Sequence, residues 1–239
     1  MALQIERAVV VGASGGIGRA LAIKLADRGA VVHALSRGGV AKDAKLTAGT
    51  IDTENEASIA DAASALHAAG PLDLVVVATG LLHAEGVAPE KSYRQISGAS
   101  FERYFAVNAT GPALVARHFL PLLRKDRASV FAALSARVGS IGDNRLGGWY
   151  GYRASKAALN MIVKTLAVEL SRTHPQAICV ALHPGTVETN LSRPFQRGVP
   201  ADKLFPADTA AKHLLDVITS LSASDSGNIF AWDGTTITP

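Results

Sequence analysis

Ala8-Val9-Val10-Val11-Gly12-Ala13-Ser14-Gly15-Gly16-Ile17-Gly18 is the stretch from which the rest of the chain is read. Four apolar, mostly β-branched residues predict a buried strand, which then breaks into glycine. From Ile17 to Arg28 the apolar residues return at helical spacing. A strand that enters a helix through a glycine turn has a specific physical use. Glycine lets the backbone turn sharply and approach a bulky anion, while the first helical N–H groups point at that anion with partial positive charge. The spacing here, Gly-x-x-x-Gly-x-Gly, is wider than the common dinucleotide fingerprint. A nucleotide phosphate is expected on Gly12, Ser14, Gly15, Gly16, Ile17 and Gly18.

Outward from that turn, short apolar runs alternate with helical stretches. Strands are predicted at Ala8–Val11, Val31–Leu35, Thr50–Ile51, Leu74–Ala78, Val130–Leu134 and Ala177–Leu182, with a weaker one at Asn228–Trp232. Helices are predicted at Ile17–Arg28, Ser58–Ala69, Phe101–Arg124, Tyr150–Ser171 and Ala207–Leu221. Strands that are apolar throughout and alternate with helices predict an α/β fold, a doubly wound Rossmann-type parallel sheet with helices on both faces. Without repeats or linkers, residues 1–239 read as one dinucleotide-binding and catalytic domain. Three loops rich in Gly, Pro and polar residues, Leu81–Ser100, Ser135–Gly148 and Pro184–Pro206, fall at the carboxyl edge, where such sheets bind ligands.

Composition narrows the function classes. The net charge of +4 comes from 24 basic and 20 acidic residues spread along the chain, with no basic run longer than two. A nucleic-acid binder would concentrate its positive charge, so no nucleic acid is expected. The single cysteine, Cys179, lies in an apolar run and reads as a buried strand thiol. Met1 to Arg7 lacks a leader pattern and no stretch is long and apolar enough to span a membrane, so the expectation is a cytoplasmic protein. His83 and His183 lack partners at metal-ligand spacing, and no metal is predicted.

The second strand ends Ala34-Leu35-Ser36-Arg37. A site built for NAD usually carries an acid there for the ribose 2′-hydroxyl. Ser36 and Arg37 instead suit a 2′-phosphate, by hydrogen bond and charge, and NADP(H) is favoured over NAD(H). Asp52 follows the third strand, where it either accepts from the adenine amino group or caps the next helix.

Tyr152 and Lys156 stand four residues apart at the head of a helix whose inward stripe continues through Leu159, Val163, Leu166 and Leu170. An ammonium beside a phenol favours the phenolate and lowers its pKa. The phenol could then exchange a proton with a carbonyl oxygen as hydride arrives or leaves.

With Gly12–Gly18, Asn108 in Val107-Asn108-Ala109-Thr110-Gly111, Tyr152-x-x-x-Lys156 and Pro184-Gly185-Thr186-Val187-Glu188-Thr189, the whole chain resembles the short-chain dehydrogenase/reductase family. The run Tyr152 to Asn160, Leu182-His183-Pro184-Gly185 and Trp232-Asp233-Gly234-Thr235 resemble its C-factor/sniffer-like carbonyl reductase branch. The resemblance implies Tyr152 as acid/base and Lys156 as ligand of the nicotinamide ribose that lowers the Tyr152 pKa. It implies a relay water held by Asn108. Pro184, Gly185, the Val187 backbone and Thr189 would lie along the nicotinamide. It also implies a homodimer or homotetramer.

Two departures stand out. Val77-Ala78-Thr79-Gly80 replaces the family's Asn-Asn-Ala-Gly, leaving Gly80 for backbone contact with the cofactor. The carbonyl-binding serine, three residues before Gly139, is Ala136; Ser135 is one residue early and Ser140 is a second candidate. Leu82, His83, Arg137, Asn144 to Trp149 and a Leu191–Phe205 lid are expected around the substrate. Trp149 and Phe195 suggest a lipophilic small-molecule carbonyl or alcohol. Two other readings remain open: a catalytically weak nucleotide-binding sensor or signalling protein on the same fold, and a scaffold acting through the long helices.

Overall fold

Elements along the computed structural model, which describes residues 3–239, run β1 (Arg7–Val11), α1 (Gly16–Asp27), β2 (Val31–Ser36), β3 (Leu46–Thr50), α2 (Glu56–His67) and β4 (Leu74–Val77). Then follow α3 (Gly98–Phe105), α4 (Gly111–Phe119), β5 (Ser129–Leu134), α5 (Tyr150–Thr173) and β6 (Ala177–His183). The chain continues through β7 (Thr186–Val187), β8 (Leu204–Phe205), α6 (Ala207–Ser220) and β9 (Ile229–Ala231). Met1 and Ala2, part of the opening stretch read for a leader, lie outside the described residues.

Seven strands form one sheet in the order β3-β2-β1-β4-β5-β6-β9, with every pairing parallel. Apart from Arg7 and Ser129 at their starts, the central strands β1, β4 and β5 are apolar throughout because both faces are covered. Val9, Val11, Val75 and Phe131 pack on one side with Ile59, Phe119, Leu159 and Val163 from α2, α4 and α5. Val10, Val76, Ala132 and Val180 pack on the other with Leu21, Leu25, Leu214 and Ile218 from α1 and α6. Each Val, Leu, Ile or Phe side chain among them, fully buried, is worth about 1.5–3 kcal/mol. The chain leaves β1 toward β2 on one side and later returns to β4 on the other. That reversal opens a crevice beyond the carboxyl ends of β1 and β4.

Four expectations are corrected. The third strand is Leu46–Thr50, not Thr50–Ile51; as a half-exposed edge strand it carries little apolar signal. Asn55, not Asp52, caps α2, its side chain accepting from the Ala57 and Ser58 N–H groups, and the helix starts at Glu56. The helix expected over Phe101–Arg124 is interrupted by a π-helical turn at Ala106–Thr110 and ends in a 3₁₀ turn at Leu120–Leu122. The Pro184–Pro206 loop contains the short parallel pair of β7 and β8. Among the described residues no helix is long and apolar enough to cross a membrane.

Candidate active site

A cleft of about 620 Å³ opens at the carboxyl edge of the sheet. Its floor is the glycine turn, where Gly12 and Gly18 leave no room for a side chain. A Cβ on Gly18 would come within 2.3 Å of the Gly12 carbonyl oxygen, and Gly12 itself has φ +88° against the backbone of Ala78 and Thr79. The head of α1 has no side-chain cap and no acid in its first turn, so its leading N–H groups are donors without an intrahelical acceptor. Across from them Thr189 lies over Gly16, where a Cβ would sit 2.9 Å from its methyl group. The Thr79 hydroxyl, on the cleft wall, is buried with no protein partner. An anion-accepting floor, a close-fitting roof and an orphaned hydroxyl suit a dinucleotide.

Ser36, Arg37 and Asp52, expected near the adenosine, stand outside the lining of this cleft. Ser36 is buried and donates to the Gly39 carbonyl at 2.5 Å. Arg37 is exposed and pairs with Glu54 at 3.4 Å, a carboxylate that Arg103 also bonds. Asp52 accepts from the Glu54 N–H at 3.0 Å, forming a turn.

At the other end stand Tyr152 and Lys156. Both are buried, Tyr152 with 7% and Lys156 with 3% of its surface exposed. Lys156 Nζ donates to the Leu134 carbonyl at 2.8 Å and lies 6.0 Å from the centre of the Tyr152 ring. Burial pushes the lysine down to about 8. The expected lowering of the phenol is not what this structure holds. Burial first, and the neighbouring Tyr104 second, push Tyr152 above its ordinary value. The phenol therefore stays protonated near neutrality.

Asn108 sits in the π turn with no exposed surface. Its amide accepts from the Leu81 N–H at 2.7 Å and donates to the Leu81 carbonyl at 2.9 Å and to Ser155 Oγ at 3.0 Å. The side chain expected to hold a water thus ties the exit of β4 to the head of α5. Gly80 lies in the same knot, a Cβ there falling 3.7 Å from both Asn108 Oδ1 and Lys156 Nζ.

Ser135 borders the cleft, but its hydroxyl donates to Asn160 Oδ1 at 2.7 Å. This corrects the expectation that it faces the substrate. Ser140, the second candidate, accepts from the Asp143 N–H at 3.0 Å and is buried. Ala136, with Val138, Trp149 and Phe195, packs against the cluster of Leu81, Leu82, Val87, Tyr104 and Tyr152. Trp149 meets Tyr152 edge-on at 6.1 Å and Phe195 at 5.3 Å. His83 bonds the Asn190 carbonyl at 3.1 Å, one residue before the expected lid. His183 is half-buried at the cleft, its buried Nδ1 unpartnered and its pKa pushed to about 4 by burial and then by Arg137.

Sequence reasoning missed Asn160, Tyr104 and Glu90. Asn160 lies on the inward face of α5, where a lone polar residue signals a buried bond only once its partner is known. Tyr104 donates to the Leu82 carbonyl at 2.9 Å and meets the Tyr152 ring edge-on at 6.2 Å. Glu90, in a loop that reads as solvated, is only 3% exposed.

A parallel sheet with a reversed crossover, a glycine cradle and a buried Tyr–Lys pair in one cleft defines a nucleotide-dependent redox fold. The sequence profile of the short chain dehydrogenase family matches residues 6–199. The chain belongs to this family of NAD(P)-dependent oxidoreductases. It is 34% identical to C-signal of Myxococcus xanthus over 70% of this chain and 93% of that one. It is 31% identical to 1-hydroxy-2-glutathionyl-2-methyl-3-butene dehydrogenase of Rhodococcus sp. (strain AD45), over 95% of this chain and 96% of that one. NADPH-bound carbonyl reductase from chicken fatty liver superposes with a TM-score of 0.83 and 25% identity, covering 99% of this chain and all 100% of the other. The match to C-signal agrees with the branch that the motifs resemble.

Proposed function

We propose that the chain, acting as one cofactor-binding and catalytic unit, interconverts a small lipophilic carbonyl compound and its alcohol with NADP(H), using Tyr152 as acid/base. The observation that carries this reading is the placement of Tyr152 and Lys156, one helical turn apart, on the wall of the cleft whose floor is the Gly12–Gly18 turn. A bound nicotinamide supplies or takes the hydride. Tyr152, protonated near neutrality, gives its proton to the carbonyl oxygen in reduction. Lys156 turns from the Leu134 carbonyl toward the ribose hydroxyls, and its charge then favours the phenolate left behind. Asn108 acts through position, holding Leu81 and Ser155. Pro184, Gly185, Val187 and Thr189 close over the nicotinamide, and the glycine turn holds the pyrophosphate. Arg37, with Ser36, takes the 2′-phosphate, and Asp52 stands near the adenine. The wall of Trp149, Phe195 and Leu82 supports a lipophilic substrate. Exposed Met161 and Val168 on α5 support a homodimer or homotetramer, which we place in the cytoplasm.

The Ser135–Asn160 bond favours a second reading, a nucleotide-binding sensor with weak chemistry, because it removes the nearest hydroxyl from the substrate. NADPH oxidation against a panel of aldehydes and ketones separates the two. The oxidoreductase reading expects turnover that Tyr152→Phe lowers at least ~10²-fold while NADPH binding persists. NADPH binding with no turnover on any carbonyl would support the sensor.

A further inference from the structure

Glu90 is a buried carboxylate that the chemistry above does not use. It lies in the loop between β4 and α3, and no basic group among the described residues pairs with it within ion-pair distance. Its two oxygens accept from the Gly151 N–H at 3.2 and 3.4 Å, and its main-chain carbonyl accepts from the Trp149 N–H. Those donors belong to the head of α5, one and three residues before Tyr152. That head needs outside support. Trp149, its N-terminal flank, offers no side-chain cap and has φ 54°, the only positive φ outside glycine among the described residues. Gly147 and Gly148 precede it at φ 61° and 66°, so three successive left-handed residues carry the chain into the helix. A left-handed bulky residue persists only where its surroundings hold it.

The surroundings are tight on every side. A Cβ on Gly151 would lie 2.5 Å from the Tyr104 ring and 3.1 Å from Glu90 Oε1, and one on Gly148 would lie 3.3 Å from the Glu90 carbonyl oxygen. Arg153 fixes the other flank through the Gly148 and Val138 carbonyls, at 3.0 and 3.2 Å. The turn so held presents the Trp149 indole to both Tyr152 and Phe195.

We infer that Glu90 is a positioning residue: its carboxylate and main-chain carbonyl clamp the left-handed turn at Trp149 and the first turn of α5, fixing where Tyr152 and the indole wall meet the substrate. The inference rests on the proposed role of Tyr152, but its test includes a readout that does not. Trp149 and Trp232 are the only tryptophans, so in a Trp232→Phe background indole emission reports the Trp149 turn directly.

In that background Glu90→Ala is expected to lower kcat about tenfold or more, leave KM for NADPH within about twofold and shift the Trp149 emission. Glu90→Gln, which keeps an acceptor oxygen for Gly151, is expected to recover about a third or more of the lost kcat and the parent emission. If Glu90→Ala does not fold, Glu90→Asp, one methylene short of the contact, takes its place under the same limits. Unchanged kcat and unchanged emission would overturn the inference. So would equal loss in kcat and NADPH affinity, the mark of a general fold defect. Should the parent turn over no carbonyl, the oxidoreductase reading fails, and emission alone decides the clamp.

Discussion

Ser135 Oγ lies 2.7 Å from Asn160 Oδ1, both buried, while the next residue along, Ala136, packs against the cluster of side chains that contains Tyr152. Successive residues of an extended chain face opposite ways, so the two neighbours serve different partners. Asn160 Nδ2 makes no other bond, which leaves Ser135 as that amide's sole side-chain partner in the structure.

A hydroxyl on the Tyr152 side should therefore help chemistry, and loss of the one on the other side should not. Ala136→Ser is expected to raise kcat for carbonyl reduction about tenfold, within the ~10²–10³ that one oxyanion donor is worth. Ser135→Ala is expected to change kcat less than about threefold while costing about 1–3 kcal/mol of stability, because it strands the Asn160 amide. Steady-state kinetics and urea unfolding on the two variants check the pair. A kcat collapse in Ser135→Ala would return the hydroxyl to the substrate.

Glu54 holds both Arg37 and Arg103. On the phosphate reading, Arg37 exchanges that carboxylate for the 2′-phosphate. Arg37→Ala is expected to weaken NADPH by about tenfold or more and NADH by less than about twofold, the loss of one charge-assisted contact. Glu54→Gln is expected to tighten NADPH modestly by removing the competitor. Fluorescence titration with both nucleotides decides, and equal effects on the two would refute the role.

Lys156 gives a stability prediction with a definite sign. Its folded pKa, about 8, lies below the ordinary lysine value of 10.5, so between those limits the unfolded chain binds the extra proton. Stability must then rise with pH across that window. From about pH 7 to pH 9.5, below the range in which Tyr152 ionises, the wild type is expected to gain up to about 2 kcal/mol relative to Lys156→Met. Denaturant melts at several pH values measure it; parallel curves for the two proteins would show the amine is not desolvated.

The sheet was legible because its strands are buried on both faces: runs such as Val9 to Val11 and Val75 to Val77 leave no alternative. Leu46–Thr50 was not, since an edge strand with Thr, Ala and Gly carries neither alternation nor a continuous apolar run. Tyr152 and Lys156 stood out by their spacing and Asn108 by its motif, because the roles proposed for them depend on short separations along one helix or on a known pattern. Glu90 and Asn160 were hidden for the opposite reason. Each matters through a partner 61 or 25 residues away, a pairing that only the fold creates. The upward push of burial on Tyr152 was not legible either, because spacing shows the nearby amine but not how completely water is excluded.

The π turn at Ala106–Thr110 has a consequence for insertions and deletions. It stores one surplus residue, and removing it would let α3 run into α4 as an uninterrupted helix, rotating everything upstream by ~100° about the shared axis. Asn108 could not then serve Leu81 and Ser155 together. A homologue shortened by a single codon there would keep its sheet and its phosphate turn, yet lose the seam between the exit of β4 and the head of α5.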